Sequence, residues 1–149
     1  MATFRMTINS TWPLGDLFTY MATFSNAAEW DPGIVDAEAL SVGEPALNSE
    51  YRLHVALGKR QLPLTYRIIE FDRLRRVVLH AENKLVRSLD TLEFNPTPGG
   101  TKLTYEASLI GIGPFAAADP VLGLILKKLG ARAEESLRAK LQASPILAA

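Results

Sequence analysis

The sequence predicts an α+β fold in which an antiparallel sheet curves around one long C-terminal helix. The first observation is a series of short segments of alternating polarity, separated by turn residues, through the middle of the chain. The second is a helical stripe of apolar residues near the C-terminus, which must be buried against another element. The third is a length of 149 residues without repeats or linkers, which indicates one domain over residues 1–149.

The N-terminal part is expected to form one strand, two short helices and a second strand. Apolar and polar residues alternate over residues 3–9, which predicts a half-buried strand. Pro13 favours the first position of a helix, and the following apolar residues recur at helical spacing. Ser25 is the expected cap of the second short helix, and residues 34–41 are typical of a strand.

The middle of the chain is expected to form successive hairpins. A two-residue turn at residues 59–60 places Leu57 opposite Leu62, and a turn at residues 83–84 sets the next hairpin by the same rule. The same pairing places His54 opposite Thr65 and His80 opposite Arg87, both on the outer face. Neither histidine is therefore expected to be catalytic. The inner face is mostly aliphatic, and its polar side chains are Tyr51, Tyr66, Ser88, Asp90 and Tyr105.

The C-terminal helix is expected to start at Asp119, with Asp119 as its N-cap and Pro120 in its first turn. Its apolar stripe runs from Leu122 to Leu141 and faces the sheet. The small residues Gly130 and Ala133 on that stripe leave two alternatives open, a solid core or an apolar cavity with a few convergent polar groups.

Composition excludes several classes of function. The 16 basic and 16 acidic residues give no net charge, so no nucleic-acid partner is expected. The absence of cysteine excludes a thiolate metal site or a cysteine nucleophile. Neither histidine occurs in a zinc-binding spacing, so no metal or cofactor is expected. The N-terminus does not resemble a secretory signal, and a cytoplasmic location is expected.

Residues 107–126 form an apolar segment long enough to span a bilayer. Asp119 and two prolines interrupt this segment, so stable insertion is not expected. Phe115 lies between flexible residues of the same segment. A lid over a cavity, a tip that touches membranes transiently, and simple packing on the sheet end remain open for it.

Several stretches resemble the polyketide cyclase/dehydrase-like members of the START and birch-pollen-allergen (SRPBCC) superfamily. They are "NAAEWDPGIVDAEAL", "LPLTYRIIEFD", "RRVVLHAE", "DTLEFNPTPGGTKLTYEASL" and "DPVLGLILKKLG". The resemblance implies a helix-grip fold, with a seven-stranded antiparallel sheet around the C-terminal helix and a hydrophobic cavity between them. It also places the aromatic residue after the second short helix, Trp30, near the cavity mouth.

Two functions follow from this resemblance. The first is binding of a hydrophobic small molecule, lipid-like or polycyclic, without turnover. The alternative is a polyketide cyclase, aromatase or dehydratase that uses Asp90 as acid or base together with cavity tyrosines. The expected ligand contacts are Trp30, Tyr51, Leu53, Val55, Leu64, Tyr66, Leu79, Ser88, Asp90, Tyr105, Phe115 and Leu126.

Two further expectations concern residues outside this set. Asp31 precedes Pro32, which restrains it to an extended backbone, so it is interpreted as a turn residue and not as a base. The outer face of the sheet carries a contiguous apolar set that could bind a partner or a second copy. The sequence leaves open a monomer or a homodimer, and the residues of this set are Ile69, Phe71, Val78 and Leu89.

Overall fold

The computed structural model describes residues 1–142, so residues 143–149 of the predicted domain lie outside the described part. Seven strands form one antiparallel sheet in the order β1-β7-β6-β5-β4-β3-β2, and three α-helices pack against it. The elements are β1 Ala2–Ser10, α1 Leu14–Ala22, a 3-10 turn Phe24–Asn26, α2 Ala27–Trp30, β2 Ile34–Ala39, β3 Glu50–Leu57, β4 Arg60–Asp72, β5 Arg76–Glu82, β6 Val86–Thr97, β7 Gly100–Gly111, a 3-10 turn Gly113–Phe115, and α3 Asp119–Leu141. The predicted α+β helix-grip fold is confirmed.

The long helix α3 lies mainly across β1 and β7. Gly130 permits this close approach, because a Cβ atom at that position would lie 2.5 Å from Cγ of the Phe4 ring. At the far end of the helix, the Ser10 hydroxyl donates a 2.9 Å hydrogen bond to the carbonyl of Leu141. The core is therefore solid where Phe4 meets Gly130.

The two ends of the concave face differ in packing. At the end formed by the β4–β5 and β6–β7 turns, the Phe18 ring of α1 packs edge-on against Phe71 and Phe94, at centroid distances of 5.5 and 5.1 Å. Ile8 and Leu103, nearby in the sheet, are fully buried. The other end holds the β3–β4 and β5–β6 turns and the N-terminus of α3. Helix α1 therefore closes only one end.

The predicted register of the β3–β4 hairpin is wrong by two residues. Leu57 pairs with Arg60 and not with Leu62, because the turn consists of residues 58–59. Gly58 has a φ of +59°, a backbone conformation that glycine adopts without the strain a side chain would introduce. A shift of two residues leaves every side chain on its predicted face.

The β5–β6 hairpin is shifted in the same way. Leu79 pairs with Asp90 and not with Ser88, and Ser88 pairs with Ala81. The reason is the Asn83 side chain, whose Oδ1 accepts the backbone N–H groups of residues 85 and 86 at 2.8 Å. This side-chain-stabilised turn is longer than the two-residue turn that the sequence predicted.

A β-bulge corrects the predicted outer apolar set. Ile68 pairs with Leu79 and Glu70 pairs with Val78, so Ile69 is the extra residue in β4. The extra residue inverts the inward–outward alternation of side chains in the rest of β4. Phe71 therefore points inward and packs on the Phe18 ring. Val78 is buried as well. The exposed apolar residues that remain of this set are Ile69 and Leu89.

Two predicted helix caps are also wrong. A 3-10 turn precedes α2, so Asn26 and not Ser25 occupies its N-cap position. Helix α3 begins with Asp119 as its first residue after Ala118, and Pro120 lies in its first turn as predicted. The carboxylate of Asp119 instead pairs with the N-terminal amino group of Met1.

Candidate functional site

Four polar side chains form a continuous hydrogen-bonded chain on the concave face of the sheet. The Ser88 hydroxyl donates to Oδ1 of Asp90 at 3.1 Å, and the Tyr105 hydroxyl donates to Oδ2 of the same carboxylate. The Tyr66 hydroxyl lies 3.1 Å from Oγ of Ser88. All four residues are buried. Four residues predicted to contact a ligand are thereby brought together.

The strand registers explain why these side chains meet. Ser88 and Asp90 are two residues apart on β6, so both point to the concave face. Tyr105 lies diagonally from Asp90 on β7, because Asp90 pairs with Ala107. Tyr66 reaches Ser88 across Ala81, which pairs with both of them. The methyl side chain of Ala81 leaves room for this contact.

Aromatic rings from the helical layer pack against both tyrosines. The Trp30 ring meets the Tyr105 ring edge-on at a centroid distance of 5.8 Å, and the Phe24 ring lies 5.0 Å from the Tyr66 ring. Trp30 and Phe24 are both buried. The 3-10 turn and the second short helix therefore place apolar rings against the two tyrosines. Sequence reasoning did not identify Phe24, although it lies in an apolar segment next to the second helix.

The buried carboxylate has a strongly perturbed acidity. Burial raises the pKa of Asp90 from 3.8 to about 6, and the hydrogen bonds from Tyr105 and Ser88 limit this rise. Burial also raises the pKa of both Tyr66 and Tyr105, and the negative charge of Asp90 raises each of them further. At neutral pH the site therefore holds an ionised Asp90 beside two neutral tyrosines.

Asp31 has two structural roles, of which the sequence indicated one. Its Oδ1 accepts the backbone N–H of Gly33 at 2.8 Å, so the predicted turn role is confirmed. Burial raises the pKa of Asp31, and the charge of Arg132 on α3 opposes this effect. The negative charge of Asp31 in turn raises the pKa of Asp90. This electrostatic coupling between distant segments has no signal in the local sequence.

Partly exposed apolar residues lie beside the hydroxyl–carboxylate chain and toward one end of the concave face. Ala107 pairs with Asp90 and Leu109 pairs with Ser88, and both are only partly buried. The same holds for apolar residues on the facing strands and helix, namely Ile34, Val55, Leu62 and Leu126. They lie toward the end of the concave face that α1 does not close. Together they form a partly exposed apolar surface at that end of the concave face, which we call the apolar approach.

The remaining predicted ligand contacts fall into two groups. Tyr51, Leu53, Leu64 and Leu79 are buried in the sheet core around the chain. Phe115 is 42% exposed on the 3-10 turn before α3 and stands apart from the carboxylate. Two surface grooves, of about 470 and 390 Å³, lie away from the concave site, along the outer side of α3 and beside α1.

Neither histidine belongs to this site. His54 lies on the outer face against Asp36 of β2, opposite Pro63 and not opposite Thr65 as predicted. His80 pairs with Leu89 on the same outer face. Within residues 1–142, no three side chains are grouped to hold a metal ion. The same part of the chain contains no helix long and apolar enough to cross a membrane.

Solved structures with the same fold include an aromatase/cyclase and proteins whose names state no activity. A START superfamily protein from Mycobacterium smegmatis has a TM-score of 0.76 at 12% identity, over 95% of this chain and 97% of that chain. The Zhui aromatase/cyclase from Streptomyces sp. R1128 has a TM-score of 0.74 at 14% identity, over 93% and 92%. The protein Ara h 8.0201 has a TM-score of 0.64 at 13% identity, over 93% and 96%. At these identities the likeness concerns the fold alone.

A search of curated protein sequences found no match. The family described as "Polyketide cyclase / dehydrase and lipid transport" matches residues 1–142, which include every strand, all three helices and the hydroxyl–carboxylate chain. The predicted membership of a polyketide cyclase/dehydrase-like family is thus confirmed, and the chain belongs to the polyketide cyclase/dehydrase and lipid transport family.

Proposed function

We propose that the protein binds a hydrophobic small molecule, lipid-like or polycyclic, on the concave face of its sheet and releases it unchanged. The observation that carries the proposal is the hydroxyl–carboxylate chain at the end of an apolar approach, beside Ala107 and Leu109. An apolar wall with a few converging polar groups is the usual composition of a small-molecule site. The family's description includes both lipid transport and cyclase chemistry.

Binding is tested by native mass spectrometry of the gently purified protein, followed by titration with diphenylhexatriene, a hydrocarbon fluorescent probe. We expect a co-purifying apolar mass or a saturable fluorescence increase. The Ala107→Phe variant should weaken both, because its ring fills the approach beside Asp90. Ala139→Phe is the matched control, since Ala139 is exposed on the outer side of α3. If neither a bound mass nor saturable binding is seen, the proposal is wrong.

A second candidate function is acid–base catalysis on a polyketide-like chain. It is favoured by the carboxylate of Asp90, whose pKa of about 6 suits proton transfer near neutral pH. Tyr105 and Tyr66, both neutral, would orient or protonate a carbonyl oxygen. This function predicts that Asp90→Asn abolishes turnover of a poly-β-keto thioester while diphenylhexatriene affinity is kept. If the wild-type protein releases this thioester chemically unchanged, without dehydration, simple binding is favoured.

A transient contact with a membrane surface is part of the same proposal. Phe115, Val121 and Leu124 are 42%, 58% and 72% exposed near the start of α3. Lys127 and Lys128 lie exposed on the same helix. Apolar side chains beside lysines are typical of a surface that binds anionic lipids. Such a surface, at the open end of the concave face, would bring a lipid-like ligand close to its site.

A further inference from the structure

We propose that the site selects apolar molecules that carry a hydrogen-bond donor, such as a hydroxyl, phenol or amine, over molecules with acceptors alone or with a carboxylate. This inference rests on the proposed binding function and specifies its ligand class. It follows from the direction of each hydrogen bond around Asp90 and from the charges near it.

The direction of every hydrogen bond in the chain is determined by counting protons. Ser88 has one hydroxyl proton, and it is donated to Oδ1 of Asp90. The bond between Ser88 and Tyr66 must therefore use the Tyr66 proton, with Oγ of Ser88 as acceptor. Tyr105 donates its proton to Oδ2 of Asp90. All three hydroxyl protons are thus used within the chain.

The hydroxyl–carboxylate chain can therefore offer a ligand hydrogen-bond acceptors, but no free hydroxyl proton. An ionised carboxylate can accept about four hydrogen bonds, and within residues 1–142 Asp90 receives side-chain hydrogen bonds from Ser88 and Tyr105. A ligand hydroxyl that reaches the carboxylate can donate to a remaining lone pair without displacing Ser88 or Tyr105. A ligand carbonyl must instead take a tyrosine proton away from Asp90, which leaves the buried carboxylate less well satisfied.

The charges around the chain act in the same direction. Asp31 adds a second negative charge that acts on Asp90, Tyr66 and Tyr105. Arg132 is a cation that acts on Asp31, whereas the charge named as acting on Asp90 is that of Asp31. A ligand carboxylate beside Asp90 would therefore be repelled by two acids, of which only Asp31 is partly compensated by a base, whereas a neutral or cationic donor would not be repelled.

The experiment compares three ligands that share one bicyclic body: 2-naphthol, 2-methoxynaphthalene and 2-naphthoate. Affinity is measured by calorimetric titration near pH 7.5, with fluorescence of Trp30 and Trp12 as a second readout. We expect 2-naphthol to bind at least about tenfold more tightly than 2-methoxynaphthalene, because it gains a hydrogen bond to a charged acceptor. We expect 2-naphthoate to bind more weakly than either.

Two variants separate the carboxylate from the rest of the site. Asp90→Asn should bring the ratio between naphthol and ether close to one, because an amide offers a donor as well as an acceptor. Tyr105→Phe should keep or increase the ratio at a pH where its Asp90 is fully ionised, because it frees a lone pair of Asp90. Asp36→Asn, at an exposed acid on the outer face, is the control that should leave the ratio unchanged.

The outcomes separate this inference from the binding function. If the ether binds as tightly as the naphthol, or if the naphthoate binds best, the inference is wrong while hydrophobic binding stands. If the ratio survives in Asp90→Asn, Asp90 is not the acceptor and the inference is also wrong. If none of the three ligands binds and diphenylhexatriene does not bind either, both proposals fail.

Discussion

The Tyr105 hydroxyl donates a hydrogen bond to Oδ2 of Asp90. Tyr105 lies on the neighbouring strand β7, two residues from Ala107, the register partner of Asp90. The Trp30 ring packs edge-on against the same tyrosine, so its ring is held from the helical side as well. The contact therefore couples the helical layer, the sheet and the buried carboxylate.

Loss of the Tyr105 hydroxyl should be costly at neutral pH. We expect Tyr105→Phe to lower the free energy of unfolding by about 1.5–3 kcal/mol, the usual value for a hydrogen bond to a charged group. The pKa of Asp90, followed by carboxyl NMR, should rise above its wild-type value. Tyr51→Phe is the control, since Tyr51 is a buried tyrosine that does not belong to the hydroxyl–carboxylate chain. Equal losses in the two variants would contradict a special role for Tyr105.

Stability should depend on pH through Asp90. Its pKa is about 6 in the folded protein against an ordinary 3.8, so between these values the folded state binds more protons than the unfolded state. Burial of Asp90 therefore destabilises the fold as pH rises through 6. Denaturant unfolding measures the free energy of unfolding of Asp90→Asn and of wild type at each pH. The difference, variant minus wild type, should increase by about 2–3 kcal/mol from about pH 4 to pH 7.5.

The comparison between the two proteins isolates Asp90, because the shifted groups that face it, Asp31, Tyr66 and Tyr105, are present in both. A difference that stays constant across this pH range would show that Asp90 has an ordinary pKa.

The packing of α3 on β1 predicts opposite effects for two glycines of one helix. Gly130→Ala would place a Cβ atom 2.5 Å from the Phe4 ring, so we expect a loss of about 1–3 kcal/mol through overpacking. Gly123→Ala meets its nearest atom, Cβ of Ala2, at 4.0 Å. It should stabilise the helix by up to about 1 kcal/mol. Thermal and urea unfolding check both, and stabilisation by Gly130→Ala would contradict the close approach.

The bulge in β4 predicts that neighbouring apolar residues differ in importance. Phe71 packs on Phe18 whereas Ile69 is 47% exposed. Phe71→Ala should lower the free energy of unfolding by about 2–4 kcal/mol, and Ile69→Ala should change it by less than about 0.5 kcal/mol. Urea unfolding measures both. A reversed order would restore the outward orientation of Phe71 that simple alternation predicted.

The proposed membrane contact predicts binding to anionic vesicles through the start of α3. Leu124→Glu should reduce co-sedimentation with phosphatidylglycerol-containing vesicles about tenfold, because it removes an apolar contact and adds repulsion. A Lys127→Gln, Lys128→Gln double variant should weaken binding mainly at low salt. Leu47→Glu, at another exposed leucine, is the control. Wild-type protein that does not sediment with these vesicles would exclude this contact.

Local patterns sufficed for the element order and for the inner face of the sheet. Alternation with a period of two assigned Ser88 and Asp90 to one face. This assignment is correct although both hairpin registers were wrong, because a shift of two residues leaves each side chain on the same face. Phe71 was placed wrongly because a bulge is an extra residue on one strand, which becomes visible only when its partner strand is known.

The sequence by itself determined the element order and the residues that could line a site, because hydrophobic periodicity and turn residues act over a few positions. Its resemblance to a known family implied the helix-grip fold. Only the tertiary structure decided that Tyr105 bonds to Asp90 and that Tyr66 is linked to it through Ser88. The same holds for the charge of Asp31 that acts on Asp90. Strand register and helix docking bring these residues together from separate segments. The acidity of Asp90 depends on its removal from water, which is a property of the whole packed core and not of any local segment.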